Sequence, residues 1–335
     1  MRAALESYFQ FRELGTNWRT EALAGCTTFV TMAYIIFVNP SILAQAGMPP
    51  EAVTAATCLA SAIGCFLMGG LARYPIALAP GMGLNAVVAF NLILTRGFSW
   101  QEAMAIIAWE GIVILILVLT GLREAIMNAI PIGLKRAIAV GIGLFILFIG
   151  LVQGGFVKAG TGTPVTLGDL TTPAFLTFVV GLVVALALMA RRVKGALLIS
   201  IFVATGVAIV LRAVFGDAAG FGPGQAVLPE RIILDVGADN FSTLLAPLGA
   251  MLTIWTRPET SVITVALIVF SLMLADFFDT MGTVIGVGEE AGLVDAKGRL
   301  PGIKEVLVVD SFGAILGGLF ATSSNTTYIE SAAGV

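Results

Sequence analysis

Leu319-Phe320-Ala321-Thr322-Ser323-Ser324-Asn325-Thr326-Thr327-Tyr328-Ile329-Glu330-Ser331-Ala332-Ala333-Gly334-Val335 leaves apolar sequence, crosses a run of hydroxyl and amide side chains, sets one carboxylate at Glu330 and returns to small apolar residues. Taken alone, such a run reads as a solvated loop between two spans. The surrounding chain argues otherwise. Of its 335 residues 58% are apolar and 12% charged, with a mean hydropathy of +1.00, against roughly 45–50% apolar and about 25% charged in soluble domains. Such a composition belongs to a polytopic membrane protein, all-α for lack of any barrel-like alternation. The polar run then lies at membrane depth, where irregular backbone survives only when buried in protein or lining a cavity, and where a carboxylate marks a functional position.

Composition also excludes. A net charge of −3 with no Lys/Arg-rich run offers no surface to nucleic acid. Cys26, Cys58 and Cys65 lie in apolar segments without CxxC spacing, which argues against a disulfide framework or a zinc site. The chain has no histidine, which excludes His-ligated metals and histidine acid/base chemistry, so a proton handled near neutral pH must ride on a carboxyl group; no metal or cofactor beyond that proton is expected. The first twenty residues are too polar for a signal peptide and read as a cytoplasmic N-terminus.

Apolar stretches long enough for a core of about 30 Å occur near 21–38, 53–72, 76–94, 102–120, 136–155, 174–190, 195–214, 261–279 and 304–320, with a tenth beginning at 322. Residues 243–255 are apolar but too short to span and read as interfacial or re-entrant; 121–134 read as a short interfacial helix. With the N-terminus inside, 13 of the 18 Lys and Arg fall in inside loops, and only Arg96, Lys158, Arg212, Arg231 and Arg257 fall outside. The positive-inside rule therefore places the N-terminus in the cytoplasm of a multi-pass cell-membrane protein.

Transporters often carry inverted repeats whose interrupted segments form the substrate site. Aligning Gly69-Gly70-Leu71 with Gly317-Gly318-Leu319 sets residues 74–82 opposite 322–330, so two interrupted segments coincide seven spans apart. An odd number of crossings inverts the second copy. The first of these segments, Tyr-Pro-Ile-Ala-Leu-Ala-Pro-Gly-Met-Gly-Leu-Asn-Ala at 74–86, suits a short extended piece, a glycine turn and a half helix. Its Gly-x-Gly lacks the strand, lysine and βαβ frame of a nucleotide loop.

Four carboxylates fall within the second copy: Asp276, Asp279, Asp310 and Glu330. Asp276 and Asp279 are three apart, near one helical face shared with Thr280 and Thr283; the plain alternative is a helix end with one aspartate in water. Asp310 could be an N-cap to its own helix. In the first copy Asn85 follows the glycine turn and is expected to face a cleft, whereas Asn39-Pro40 reads as a helix stop. Glu110 sits mid-span and is either paired across helices or part of a proton path.

Ala-Pro-Gly-Met-Gly-Leu-Asn-Ala (79–86), Asp-Phe-Phe-Asp-Thr-Met-Gly-Thr (276–283) and Ser-Asn-Thr-Thr-Tyr-Ile-Glu-Ser-Ala-Ala-Gly-Val (324–335) resemble the signature segments of purine permeases in the AzgA-like branch of the nucleobase–cation symporter-2 superfamily. The resemblance covers essentially the whole chain. It implies a 7+7 inverted-repeat transporter with core and gate domains and short strands in the third and tenth segments. On that scheme 1–20 is a cytoplasmic N-terminus, 21–120 the first half of the core, 121–258 the first half of the gate with a connecting loop, and 259–335 the second half of the core, ending inside the tenth segment. It implies proton-coupled import of hypoxanthine, guanine or adenine, with no enzymatic activity, from a bacterial-type inner or plasma membrane, and it is compatible with a homodimer. By position Glu330 resembles the family's base-binding glutamate, Asp279 its acidic ligand in the eighth segment, and Asn85 with Gly83 its third-segment motif. Where uracil-type relatives have a histidine, this chain has Thr283. The expected site is Glu330 and Asp279 on the purine edge, completed by Asn85, Gly83 and Thr327, with Phe29 or Phe278 on its face; Asp279, Asp276 and Asp310 are the candidates for proton coupling. An anion transporter of the same architecture, or a channel, is the alternative.

Overall fold

A chain at membrane depth satisfies its backbone most simply as helix, since every N–H and C=O then finds a partner within its own segment. The computed structural model, which describes residues 2–122, 132–160, 162–193, 195–221, 226, 245–293 and 300–335, follows this over most of its length. In order come α1 (Arg2–Tyr8), α2 (Trp18–Met32), α3 (Ile35–Ala44), α4 (Pro50–Leu67), a widened turn at Met68–Ala72, β1 (Leu78–Pro80), and α5 (Met82–Ala86) continuing as a widened helix to Thr95. Then follow α6 (Trp100–Thr120), α7 (Ile132–Gln153), β2 (Val157–Ala159), β3 (Val165–Leu167), α8 (Pro173–Ala190) and α9 (Ala196–Phe215). The last are α10 (Pro247–Thr253), α11 (Val262–Glu290), α12 (Ile303–Leu319), β4 (Asn325–Thr327) and a tight helical turn at Ile329–Ala333. Among the described residues six spans are long and apolar enough to cross a membrane, the first being α2 and α3 taken together as Trp18–Ala44.

The chain divides into two units, Met1–Ala139 with Asp235–Val335, and Val140–Leu234. In the second, α8 packs along α9 and the β2–β3 hairpin pairs Val157 with Leu167. Thr172 caps α8 by accepting from the Phe175 amide at 3.2 Å, and the neighbouring Asp169 accepts from both the amide and the hydroxyl of Thr171, which holds its carboxyl below the usual range.

The first unit holds the interrupted segments. Its helices start on local caps: Asn17 Oδ1 accepts from the amides of Arg19 and Thr20, and Ser99 and Glu102 form a capping box at the start of α6. The centre of the unit is the seam between α6 and α12, where glycines let two backbones touch. A Cβ on Gly111 would come to 2.6 Å from the Ile315 nitrogen, and one on Gly318 to 2.5 Å from the Ala108 nitrogen. One apolar core, including Leu43, Val88, Met104 and Leu272, lies to one side of β1; a second, including Met68, Leu78, Val287 and Val309, includes β1 itself.

Two expectations change and one holds. Within 76–94 the short extended piece, glycine turn and half helix expected at 74–86 form, with Pro80 ending β1 and Gly81 preceding α5. Asn39-Pro40 does not stop a helix: Pro40 lies inside α3, the break falls earlier at Ala33–Tyr34, and Asn39 is anchored by tertiary hydrogen bonds from within the helix. Asp310 does not cap α12, whose turn is made by Gly302 at a φ of 73°, and it sits mid-helix instead. Within 243–255, read as too short to span, residues 247–253 form a short helix on α6, with Trp109 Nε1 donating to the Met251 carbonyl at 2.8 Å. The interfacial helix expected at 121–134 falls largely outside the described residues.

Candidate functional site

The two interrupted segments meet as strands. β1 pairs antiparallel with β4 in the register Leu78–Thr327, Ala79–Thr326 and Pro80–Asn325. The pairing is extended at both ends, by Gly81 N–H donating to the Ser324 carbonyl at 2.9 Å and Tyr328 N–H to the Ala77 carbonyl at 3.0 Å. The Tyr328 hydroxyl donates to the Pro80 carbonyl at 2.5 Å, and the Ala77 amide to Ser331 Oγ at 2.9 Å. Each segment thus supplies the backbone partners that the other lacks, which is what exposed strand edges require at membrane depth. The turn from α12 into β4 passes through Ala321 and Ser323 at φ of 58° and 71°, left-handed for both. It lies against Gly317, where a Cβ would meet the Ser323 carbonyl oxygen at 2.0 Å.

Glu330 follows β4 in the tight turn and is half-buried. Its Oε1 accepts from the Tyr34 hydroxyl at 2.5 Å, and its backbone carbonyl accepts from Thr31 Oγ1 at 3.3 Å. Tyr34 reaches it because the helix breaks between α2 and α3. Asp279 on α11 is open to solvent and lies within electrostatic reach of both Glu330 and Asp276. These two acids share one locality, with Tyr328 beside both.

Asp276 and Asp310 lie deeper. Asp276 is fully buried and accepts from Ser324 Oγ at 3.4 Å. Asp310 is within hydrogen-bond reach of the Thr280 hydroxyl through both oxygens, at 3.0 and 2.9 Å, and that hydroxyl is 2.9 Å from Thr326 Oγ1. Both buried aspartates therefore connect to β4 or the residue before it through hydroxyls.

Asn85 differs from expectation in what it faces. It is fully buried, and its amide nitrogen donates at 2.6 Å to Asn39, whose own amide reaches Thr57 and Thr322. This cluster ties α3, α4 and α5 to the turn before β4, while Asn85 Oδ1 has no partner among the described residues. Gly83 sits half-buried in α5. Thr327 is buried with its hydroxyl unpartnered among the described residues. Phe278 is half-buried and packs edge-on to Phe277 at 5.4 Å. Phe29 is 60% exposed on α2 and lines an apolar cavity of about 500 Å³ with Met32, Cys58, Ser61 and Tyr74; neither Glu330 nor Asp279 lines it.

Sequence reasoning missed Tyr34, Asn39 as a hub, and Asn325, whose buried side-chain amide has no partner among the described residues. Asn325 carried a signal, lying in the middle of the polar run; Tyr34 carried none beyond being a tyrosine in an apolar span.

The permease family model matches residues 19–335. A permease of Methanocaldococcus jannaschii is 42% identical over 331 residues, 99% of this chain and 71% of that protein. An adenine permease of Escherichia coli K12 is 40% identical over 335 residues, 99% of this chain and 69% of the relative. A guanine/hypoxanthine permease of Bacillus subtilis 168 is 40% identical over 340 residues, 99% and 73% respectively.

Proposed function

Because the chain belongs to the permease family, within the nucleobase–cation symporter-2 superfamily, we propose that it imports purine nucleobases across a cell membrane by proton symport. The observation that carries this is Glu330, a half-buried carboxylate presented by β4, steadied by Tyr34 and neighboured by Asp279. A purine offers ring N–H donors along a flat edge, and a carboxylate accepts them through charge-assisted bonds. Tyr34 occupies one lone pair of Glu330 Oε1 and restrains the carboxylate, leaving its other acceptor sites for a base. Thr327 and Asn325, buried on β4 close to Glu330 in sequence with side-chain polar atoms unpartnered among the described residues, complete the polar contacts; Asn85 backs β4 through the buried Asn39 cluster, and Phe278 supplies a face for stacking. The names of the adenine and guanine/hypoxanthine relatives support purines as the class.

No Lys or Arg occurs between Arg257 and Lys297 or after Lys304, so the segments around Glu330 carry nothing to attract an anion, and the anion-transporter alternative is disfavoured. The antiparallel match of 78–80 with 325–327 supports the 7+7 inverted repeat, with 21–120 and 259–335 in the core and 121–258 opening the gate. Symport follows if one acid, Asp279 or Asp276, must be protonated before or together with base binding.

Equilibrium binding tests the site. Purified full-length protein should bind labelled hypoxanthine, adenine or guanine, competed by the other purines and poorly by uracil. Binding of uracil in preference to every purine contradicts the reading.

A further inference from the structure

Glu110 takes no part in the site above. It stands in the middle of α6, is fully buried, and neither of its carboxyl oxygens has a hydrogen-bond donor among the described residues. The side chain it meets is another acid, Asp276 of α11, with Asp310 of α12 next in its surroundings. The other elements packed on α6 are α10, the turn at Ile254–Thr256 and the widened helix at Val87–Thr95, and their sequences contain no charged residue. Among the cations on or beside the elements packed against α6, Lys304 is exposed in the first turn of α12, and Arg257 pairs with Glu102 at the start of α6 at 3.7 Å.

Carboxylates only accept hydrogen bonds. Two of them meeting in a water-poor interior repel, and their contact becomes a hydrogen bond only when one carries a proton, which then belongs to the pair. A second observation ties this pair to the strands. Ser324, immediately before β4, donates its hydroxyl to Asp276 Oδ2 at 3.4 Å while its carbonyl accepts from Gly81 N–H at 2.9 Å. The acid pair therefore adjoins the strand junction that presents Glu330.

We propose that Glu110 and Asp276 hold one proton between them and that this shared proton is the one that couples to transport. The inference rests on the symport reading and deepens it. One proton entering from outside converts two carboxylates into a carboxyl–carboxylate pair; the Ser324 contact passes that change to the strands; the neutral base binds at Glu330; and the same proton leaves to the inside after the base. One positive charge crosses per base. Glu110 acts as a positioning and proton-holding residue and does not touch the base.

The test uses Glu110→Gln in the full-length protein reconstituted into vesicles. A gradient of about one pH unit can sustain about a tenfold accumulation for one coupled proton. The wild type should accumulate labelled purine about tenfold. E110Q should fall to about one, yet still exchange labelled for unlabelled base, with exchange no longer dependent on pH. Undiminished accumulation by E110Q overturns the proposal, as does wild-type accumulation driven by a sodium gradient at equal pH. If E110Q does not reach the membrane, Glu110→Asp decides: it keeps the acid but shortens its reach to Asp276, and should shift the pH of half-maximal exchange, whereas an unchanged profile overturns the pair. A wild-type protein that moves no purine at all overturns the function itself, a result distinct from purine transport indifferent to Glu110.

Discussion

Tyr34 holds the carboxylate that the whole site depends on. Hydrogen bonds to charged groups contribute about 1.5–3 kcal/mol, so Tyr34→Phe should weaken purine binding about tenfold or more while leaving the fold intact. Glu330→Gln should cost more, because it replaces an acceptor with a donor facing the purine N–H groups. Competition binding on the purified variants checks both, and wild-type affinity in Glu330→Gln would remove that residue from the site. Glu330 stands out as a candidate in the sequence because a lone carboxylate in a hydroxyl run at membrane depth needs a reason. Tyr34 does not, because its role depends on a helix break at Ala33–Tyr34 that no proline or glycine announces. Asn39 misled for the opposite reason: the proline after it signalled a stop, but hydrogen bonds to Thr57 and Thr322 hold the helix through it.

At the level of elements, the interruptions were readable, the family resemblance implied that they meet, and their register was not readable. Pro80, Gly81 and the run 322–327 mark where helix must end, yet the register Ala79–Thr326 joins residues far apart in sequence and is set by tertiary packing. The α6–α12 seam was equally hidden, since Gly111 and Gly318 look like any glycines in apolar helices. Both have backbone within a bond's reach of the missing side chain. Gly318→Val should therefore destabilise the protein by about 1–3 kcal/mol or more through overpacking, whereas Gly25→Ala on α2, which meets nothing within 4 Å, should be tolerated. Thermal melting in detergent, monitored by size-exclusion, separates the two; equal melting temperatures would mean that the seam is looser than the backbone contacts indicate.

The molecule as a whole is a multi-pass membrane permease, and its composition said as much before any motif was read. The division of basic residues is the ground for expecting a cytoplasmic N-terminus, a purely electrostatic argument that side-chain contacts do not address. In a background lacking the native cysteines, a membrane-impermeant thiol reagent applied to intact cells should label Lys158→Cys in the β2–β3 hairpin and spare Arg12→Cys before α2; labelling of the second alone would reverse the topology. The proposed activity is suggested only through the family motifs, because carboxylates in a membrane serve protons, cations and bases alike. The most direct test is uptake of labelled hypoxanthine, adenine and guanine by the full-length protein in a host lacking purine transport, at acidic and mildly alkaline external pH, with and without a protonophore. Saturable uptake of a purine that rises in acid and collapses with the uncoupler is the predicted result; protein present in the membrane with no purine uptake, or uptake indifferent to pH and uncoupler, would contradict a proton-driven purine importer.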